Sequence, residues 1–201
     1  CEIGGDLVLE QVHVADLTEL GGLGSIGGTL DIQESTIETL DGLDRLISVG
    51  HLRFYENRNL ISIEGLASLR QLSGDDSDGA VEPGQLTFAF NDSLHSLEGL
   101  EGITEAGDLI LSQNYALTTL DGLENLATID GDLEFWGGAF DTLDGLSGLR
   151  RVGGQVSLTQ NYSVIGLEGL ASLETAGSIV IDSCDALVLA DLPALQTVGA
   201  F

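Results

Sequence analysis

Carboxylates dominate the chemistry open to this chain. Asp108 and Asp132 fall at the same place in successive copies of a repeated stretch. On a parallel sheet they would stand one rung apart, about 5 Å, which matches the carboxylate pair of a retaining glycosidase. A second acidic series, Asp41, Glu64, Glu98, Asp121, Asp144 and Glu168, stands one per copy before a Gly-Leu pair. Unscreened neighbours at that spacing repel by roughly 1 kcal/mol in water, so something must offset them. Either each acid caps the free N–H groups of a tight turn, or calcium or another hard cation sits between neighbours. A third group, Asp75, Asp76, Asp78 and Glu82 around Gly79, offers carboxylates to calcium without the EF-hand spacing, and reads otherwise as a solvated loop.

Two sets of unlike side chains could recognise a ligand. His51, Arg53 and Tyr55 alternate along one stretch, and Asp132, Glu134 and Trp136 along another. Alternation puts each set on one side of a strand. Trp136 between carboxylates could stack on a sugar ring or receive a basic peptide, or it could simply cover the sheet. His51 has no nearby histidine partner for a metal, since His13 and His95 lie in distant copies. Neighbouring carboxylates arise readily by chance in a chain with 33 acids, and no Ser-His-Asp pattern, nucleotide loop or metal-spacing motif accompanies Asp108 and Asp132. The expectation is a protein that is not an enzyme and requires no cofactor, with calcium the cation its acids would suit.

The element that must position these residues is the stretch Gly107 to Asp130, GDLILSQNYALTTLDGLENLATID, repeated with small changes from end to end. Leu109 and Leu111 alternate with polar residues, the period of a short strand with one buried face. Asp121-Gly122-Leu123, with Leu126 and Ile129 at three-residue spacing, predicts a tight 3₁₀-like bend. Aligned on the first strand leucine, the copies begin at Leu7, Leu30, Leu52, Leu86, Leu109, Leu133, Val156 and Ile179, which makes eight coils of about 23 residues. The long interval, Leu52 to Leu86, carries an inserted loop near residues 73–84. One copy cannot offset its own ordering entropy, so the copies must stack over a shared core. Residues 1–201 thus read as a single, mainly β solenoid domain. Five residues after the aligned position stand Asn57, Asn91, Asn114, Asn161 and Cys184, a column able to satisfy turn backbone as a structural ladder. The bend glycine implies a special backbone angle or a close approach.

The pattern Leu-x-[Leu/Phe]-x-x-Asn resembles the leucine-rich repeat. The fuller form GDLxIxxNxxLxxLxGLxxLxxI is similar to the receptor L domain group of growth-factor receptors and secreted microbial proteins. The resemblance covers nearly the whole chain, with atypical first and last coils. It implies a right-handed β-solenoid with one parallel sheet along a face, and a role in binding or adhesion.

A formal charge of −27, from six arginines, no lysine and 33 acids, disfavours nucleic acid and anionic membranes, which need clustered cations. No apolar run is long enough for membrane insertion and no charged-then-apolar leader is present, so the chain is expected to be mature or cut. Cys1 and Cys184 lie seven rungs apart, roughly 34 Å, too far to pair. Cys184 fits the ladder as a buried thiol. Cys1 stays open between a bond to a missing cap, a bond to another chain and a lipid anchor. The leading functional expectation is a non-catalytic extracellular or cell-surface recognition and adhesion module for a protein or glycan ligand. The alternative is a subunit stacking head-to-tail by homo-assembly through the solenoid ends, and a glycan hydrolase using Asp108 and Asp132 ranks third.

Overall fold

In a computed structural model, residues 1–74, 83–188 and 192–199 are described. They form a mainly β solenoid of about eight turns with coils of about 23 residues. All the strands belong to one parallel sheet. Its register is the one the repeat alignment demands: Leu7 pairs with Leu30, Leu30 with Leu52, Leu52 with Leu86 and Leu86 with Leu109. Leu109 then pairs with Leu133, Leu133 with Val156 and Val156 with Ile179. A one-residue slip would turn every buried leucine outward, so the hydrophobic pattern alone pins this register.

The sheet holds more than the one strand per coil that the periodicity predicts. A second, two-residue strip runs beside the first: Glu2–Ile3, the Ser25-Ile26 and Ser48-Val49 pairs, Gln71–Leu72, Glu105–Ala106, Thr128–Ile129 and their successors. Ile129, expected in the bend, is therefore a sheet residue, and Leu126 closes the bend through its N–H to the Leu123 carbonyl. In Ser25–Gln33 and Arg151–Thr159 the two strips are one strand, with a register shift at the glycine pairs Gly27-Gly28 and Gly153-Gly154. The insertion opens at this seam, between Gln71–Leu72 and Leu86–Ala89.

Inward side chains fill the space between sheet and bends. Leu30, Leu52, Leu86, Leu109 and Leu133 are buried, as are the bend leucines Leu40, Leu43, Leu46, Leu120, Leu123 and Leu126. Phe54 meets Phe88 edge to face at 5.2 Å, and Phe135 meets Phe140 at 5.3 Å.

The bend glycine serves both expected purposes: in all six bends a Cβ would overlap a carbonyl oxygen of the coil before, and in one of the two kinds of bend the glycine also takes a positive φ. All six bends close with the same N–H to carbonyl bond, such as Leu43 to Leu40 and Leu66 to Ile63. Gly42, Gly99 and Gly122 have φ of +105°, +113° and +106°, as a type II turn requires at its third residue. Gly65, Gly145 and Gly169 lie inside 3₁₀ turns instead, where a Cβ would overlap the carbonyl oxygens of Leu40, Leu120 and Leu143 in the coil before. The residue two after the glycine separates the kinds. Asp44, Glu101 and Glu124 each accept the glycine N–H in the first kind, whereas Ala67, Ser147 and Ala171 hold that place in the second. The capping expected of Asp41, Glu98 and Asp121 is thus made by acids three residues further on. In the 3₁₀ bends the cap residues are Ile63, Leu143 and Leu167, with no side-chain cap bond.

The asparagine ladder joins coil to coil. Asn91 Oδ1 accepts the Asn57 N–H at 3.1 Å while its Nδ2 donates to the Phe54 carbonyl at 3.0 Å. Asn57, Asn114 and Asn161 repeat the arrangement on Ser35, Asn91 and Gly138. Ser35 is a ladder member too, its Oγ accepting the Val12 N–H. Cys184, half-buried, donates from Sγ to the Leu158 carbonyl at 3.4 Å. In the sixth coil Gly138 holds the position, and a Cβ there would overlap the buried Phe140 ring.

Asn91→Ala is expected to lower unfolding free energy by on the order of 2–4 kcal/mol, because it strands a buried N–H and a buried carbonyl. Restoring the repeat with Gly138→Asn should also destabilise, by roughly 1–3 kcal/mol of overpacking against Phe140. Denaturant unfolding followed by Trp136 fluorescence checks both. In the same assay Glu124→Ala should cost about 1 kcal/mol through the lost Gly122 cap.

Candidate functional site

In four coils the outward residue just before the long strand accepts a backbone N–H from the next coil, forming a second, discontinuous ladder. Asp6 Oδ1 accepts the Thr29 N–H at 2.7 Å, Asp108 Oδ1 that of Asp132 at 2.8 Å, and Asp132 Oδ1 that of Gln155 at 2.6 Å. His51 Nδ1 accepts the Gln85 N–H at 3.0 Å, and Gln85 Nε2 donates to Asp108 Oδ2 at 2.6 Å. Each acceptor captures the amide of its own column in the next coil. A glycine makes room, since a Cβ at Gly28, Gly131 or Gly154 would overlap Oδ1 of Asp6, Asp108 or Asp132. Glycine precedes this column in all eight coils, as Gly5, Gly28, Gly50, Gly84, Gly107, Gly131, Gly154 and Gly177. That periodicity is the sequence signal for the second ladder, and the strand pattern alone does not reveal it.

Asp108 and Asp132 are therefore neighbours, as the alignment requires, but each spends an oxygen on backbone. Charge-assisted bonds of this kind are about twice as strong as neutral ones.

His51, Arg53 and Tyr55 share the outer side of the strand Ser48–Tyr55. The bond at His51 Nδ1 leaves the ring proton on Nε2. Arg53 lies directly across from Asp31 and approaches it at 3.7 Å with its own side chain half exposed. Although strand alternation turns Asp31 to the outer side of the sheet, it is buried to 8 % exposure. Its Oδ2 accepts Gln33 Nε2 at 2.7 Å, whereas its buried Oδ1 has no hydrogen-bond partner. Tyr55 meets Phe90 edge to face at 5.4 Å. A hydrogen bond to the Glu56 carboxylate holds the Tyr55 phenol above its ordinary pKa, with desolvation and the charges of Glu56 and Glu34 adding to it. Phe90 itself has φ of +58°, an unusual conformation for an aromatic residue. It occupies the left-handed position that follows every long strand, filled elsewhere by Gln11, Glu34, Glu56, Gln113, Gly137, Gln160 and Ser183.

Asp132, Glu134 and Trp136 share the strand Leu133–Trp136. Trp136 is 42 % exposed and donates from Nε1 to Gln160 Oε1 at 3.1 Å, so its ring is tethered to the next coil. The two outward sets do not converge, because the strands Leu86–Ala89 and Leu109–Ser112 lie between them, a separation of about 14 Å for three rungs. Asp75, Asp76, Asp78 and Glu82 lie outside the described residues. Among the described residues no three His, Cys, Asp or Glu side chains converge as a metal site would require, and no helix is long and apolar enough to cross a membrane. Comparison with protein-family models, with curated proteins and with solved structures finds no match to this chain.

If the second ladder is what Asp132 serves, Asp132→Asn keeps an acceptor for the Gln155 N–H and should leave the melting temperature within a few degrees. Asp132→Leu removes the acceptor and should destabilise by about 1–3 kcal/mol. Equal melting temperatures for the two variants would refute the structural role.

Proposed function

We propose that this chain is a non-catalytic recognition or adhesion module, acting outside the cell or at its surface, that offers the outer face of its parallel sheet to a protein or glycan. The observation that carries the reading is the group His51, Arg53 and Tyr55: unlike polar and aromatic side chains, fixed by the sheet and by bonds to neighbouring coils, with the Arg53 guanidinium half exposed. Binding faces gain affinity when their side chains are ordered before the ligand arrives. Trp136, tethered but open on the same sheet, is a second anchor of the type that dominates interface energetics. The non-catalytic part of the reading is supported by Asp108 and Asp132, whose Oδ1 atoms are bound to backbone amides. A catalytic pair would need one carboxylate free as nucleophile and the other as proton donor. Similarity of the repeat to leucine-rich repeats and receptor L domains belongs to the same proposal.

The test applies fluorescently labelled full chain to immobilised polysaccharides and basic proteins. Retention on at least one surface, reduced tenfold or more by Arg53→Ala or Trp136→Ala with an unchanged melting temperature, is the expected result. Retention indifferent to both substitutions would place the site off the sheet face. Release of reducing sugar from any polysaccharide, abolished by Asp108→Asn, would overturn the non-catalytic reading.

A further inference from the structure

A polar hollow of about 400 Å³ lies on the outer face of the sheet over the first four coils. Its floor is Asp31, and Arg53 stands beside it with Thr29 and Thr87 on the flanking strands. A second hollow of about 360 Å³ adjoins it over Gly4, Gly27 and Gly28, and the two share Asp6, Thr29 and His51. These are volumes at which small ligands are bound.

We propose that this hollow binds a neutral carbohydrate, with adjacent ring hydroxyls held between the Asp31 carboxylate and the Arg53 guanidinium. The proposal rests on the recognition reading above and adds the ligand class. It begins from Asp31 Oδ1, a carboxylate oxygen removed from water and left without a hydrogen-bond partner. Buried polar atoms are almost always satisfied, and a charged one is costly to leave bare. Arg53 stands beside this carboxylate, 3.7 Å from its other oxygen, Oδ2, and is itself half exposed, so Oδ1 lacks even the ion-pair partner that Oδ2 has and is the atom an incoming hydroxyl would satisfy. The guanidinium keeps spare N–H groups for the neighbouring hydroxyl oxygen.

The rest of the lining mixes donors with acceptors. His51 presents Nε2–H, because Nδ1 is occupied by the Gln85 amide. Thr29 and Thr87 carry hydroxyls that both donate and accept. Asp6 accepts the Thr29 N–H through Oδ1, and its second carboxylate oxygen remains as an acceptor. A ligand must therefore donate and accept at closely spaced atoms, as vicinal hydroxyls do. The charges select against the competing classes. Asp6, Asp31 and Arg53 give the hollow a formal −1 (two negative, one positive) within a chain of −27, so a phosphate or uronate would be repelled. A cationic peptide would meet the Arg53 guanidinium at the centre of the site. The second hollow, floored by glycines, has room for a further sugar ring, so the fitting ligand is an oligosaccharide.

The experiment titrates full chain by calorimetry with cellohexaose, laminarihexaose, mannohexaose and xylohexaose, and in parallel with oligogalacturonate and with hexa-arginine. Binding of at least one neutral hexaose is expected, weakened tenfold or more by Asp31→Asn and by Thr87→Val while the melting temperature of each variant stays near that of the parent. No neutral hexaose bound at millimolar concentration, or binding indifferent to both substitutions, overturns the proposal. Binding of oligogalacturonate or hexa-arginine alone, lost in Arg53→Ala, overturns the carbohydrate class while leaving the face as a recognition surface. Silence of every probe, together with no retention on any immobilised surface, would remove both readings.

Discussion

The structure depends on one interaction repeated along its length: a side chain of one coil captures the backbone N–H of its neighbour. A short strand in a single coil has no internal partner for its amides and carbonyls, and burying such groups unpaired is unfavourable. Strand pairing satisfies the straight segments. The corners, where the chain leaves the sheet, are satisfied by side chains at two places. At the far end of each long strand the asparagine column accepts an N–H and donates to a carbonyl of the coil before it. At the near end Asp6, His51, Asp108 and Asp132 accept from the coil after them. Both ladders act across the coil boundary, so stability accrues through interfaces and not through isolated repeats.

The acidity of the chain looks different in this light. Among the described residues seven carboxylates accept backbone N–H groups: Asp6, Asp16, Asp44, Glu101, Asp108, Glu124 and Asp132. Asp16 illustrates the effect, since its bond to the Thr18 N–H, joined by one from the Thr18 hydroxyl, pulls its pKa below the ordinary aspartate value. A share of the negative charge is therefore backbone satisfaction. The acids directly before the bend glycines take a different place. Asp144, Glu64 and Glu168 are the first residues of 3₁₀ turns, where a negative charge is favourable near the turn's free N–H groups without touching one.

Glycine sets how closely coils approach. At the bends and at the seam, the atoms that a Cβ would overlap are carbonyl and carboxylate oxygens of the adjacent coil. The same close approach lets the carboxylates reach their amides, so the glycine column and the second ladder are one device seen from two sides. It also leaves the backbone bare between the two sheet strips, and on the first coils that bareness becomes the glycine-floored hollow beside Asp31.

The sequence by itself determined the register, the coil length, the inward leucines and the asparagine ladder, because a period-2 strand with one apolar face permits a single pairing and a buried asparagine needs backbone partners. It also placed His51, Arg53 and Tyr55 on one side of one strand. The two-residue strip carries too few residues to show a period, which is why Ile129 read as bend. The acids that cap the type II bends were legible only as Asp44, Glu101 and Glu124 in place of a small residue, a distinction without meaning until the two peptide orientations are known. Only the tertiary structure decided that Asp31 is buried with a bare oxygen, that Phe90 packs on Tyr55, and that Asp108 and Asp132 are tied to backbone. Each of those depends on a residue one coil away, 22 to 35 positions along the chain, and local pattern carries no information about which atoms of a neighbouring coil a side chain will meet.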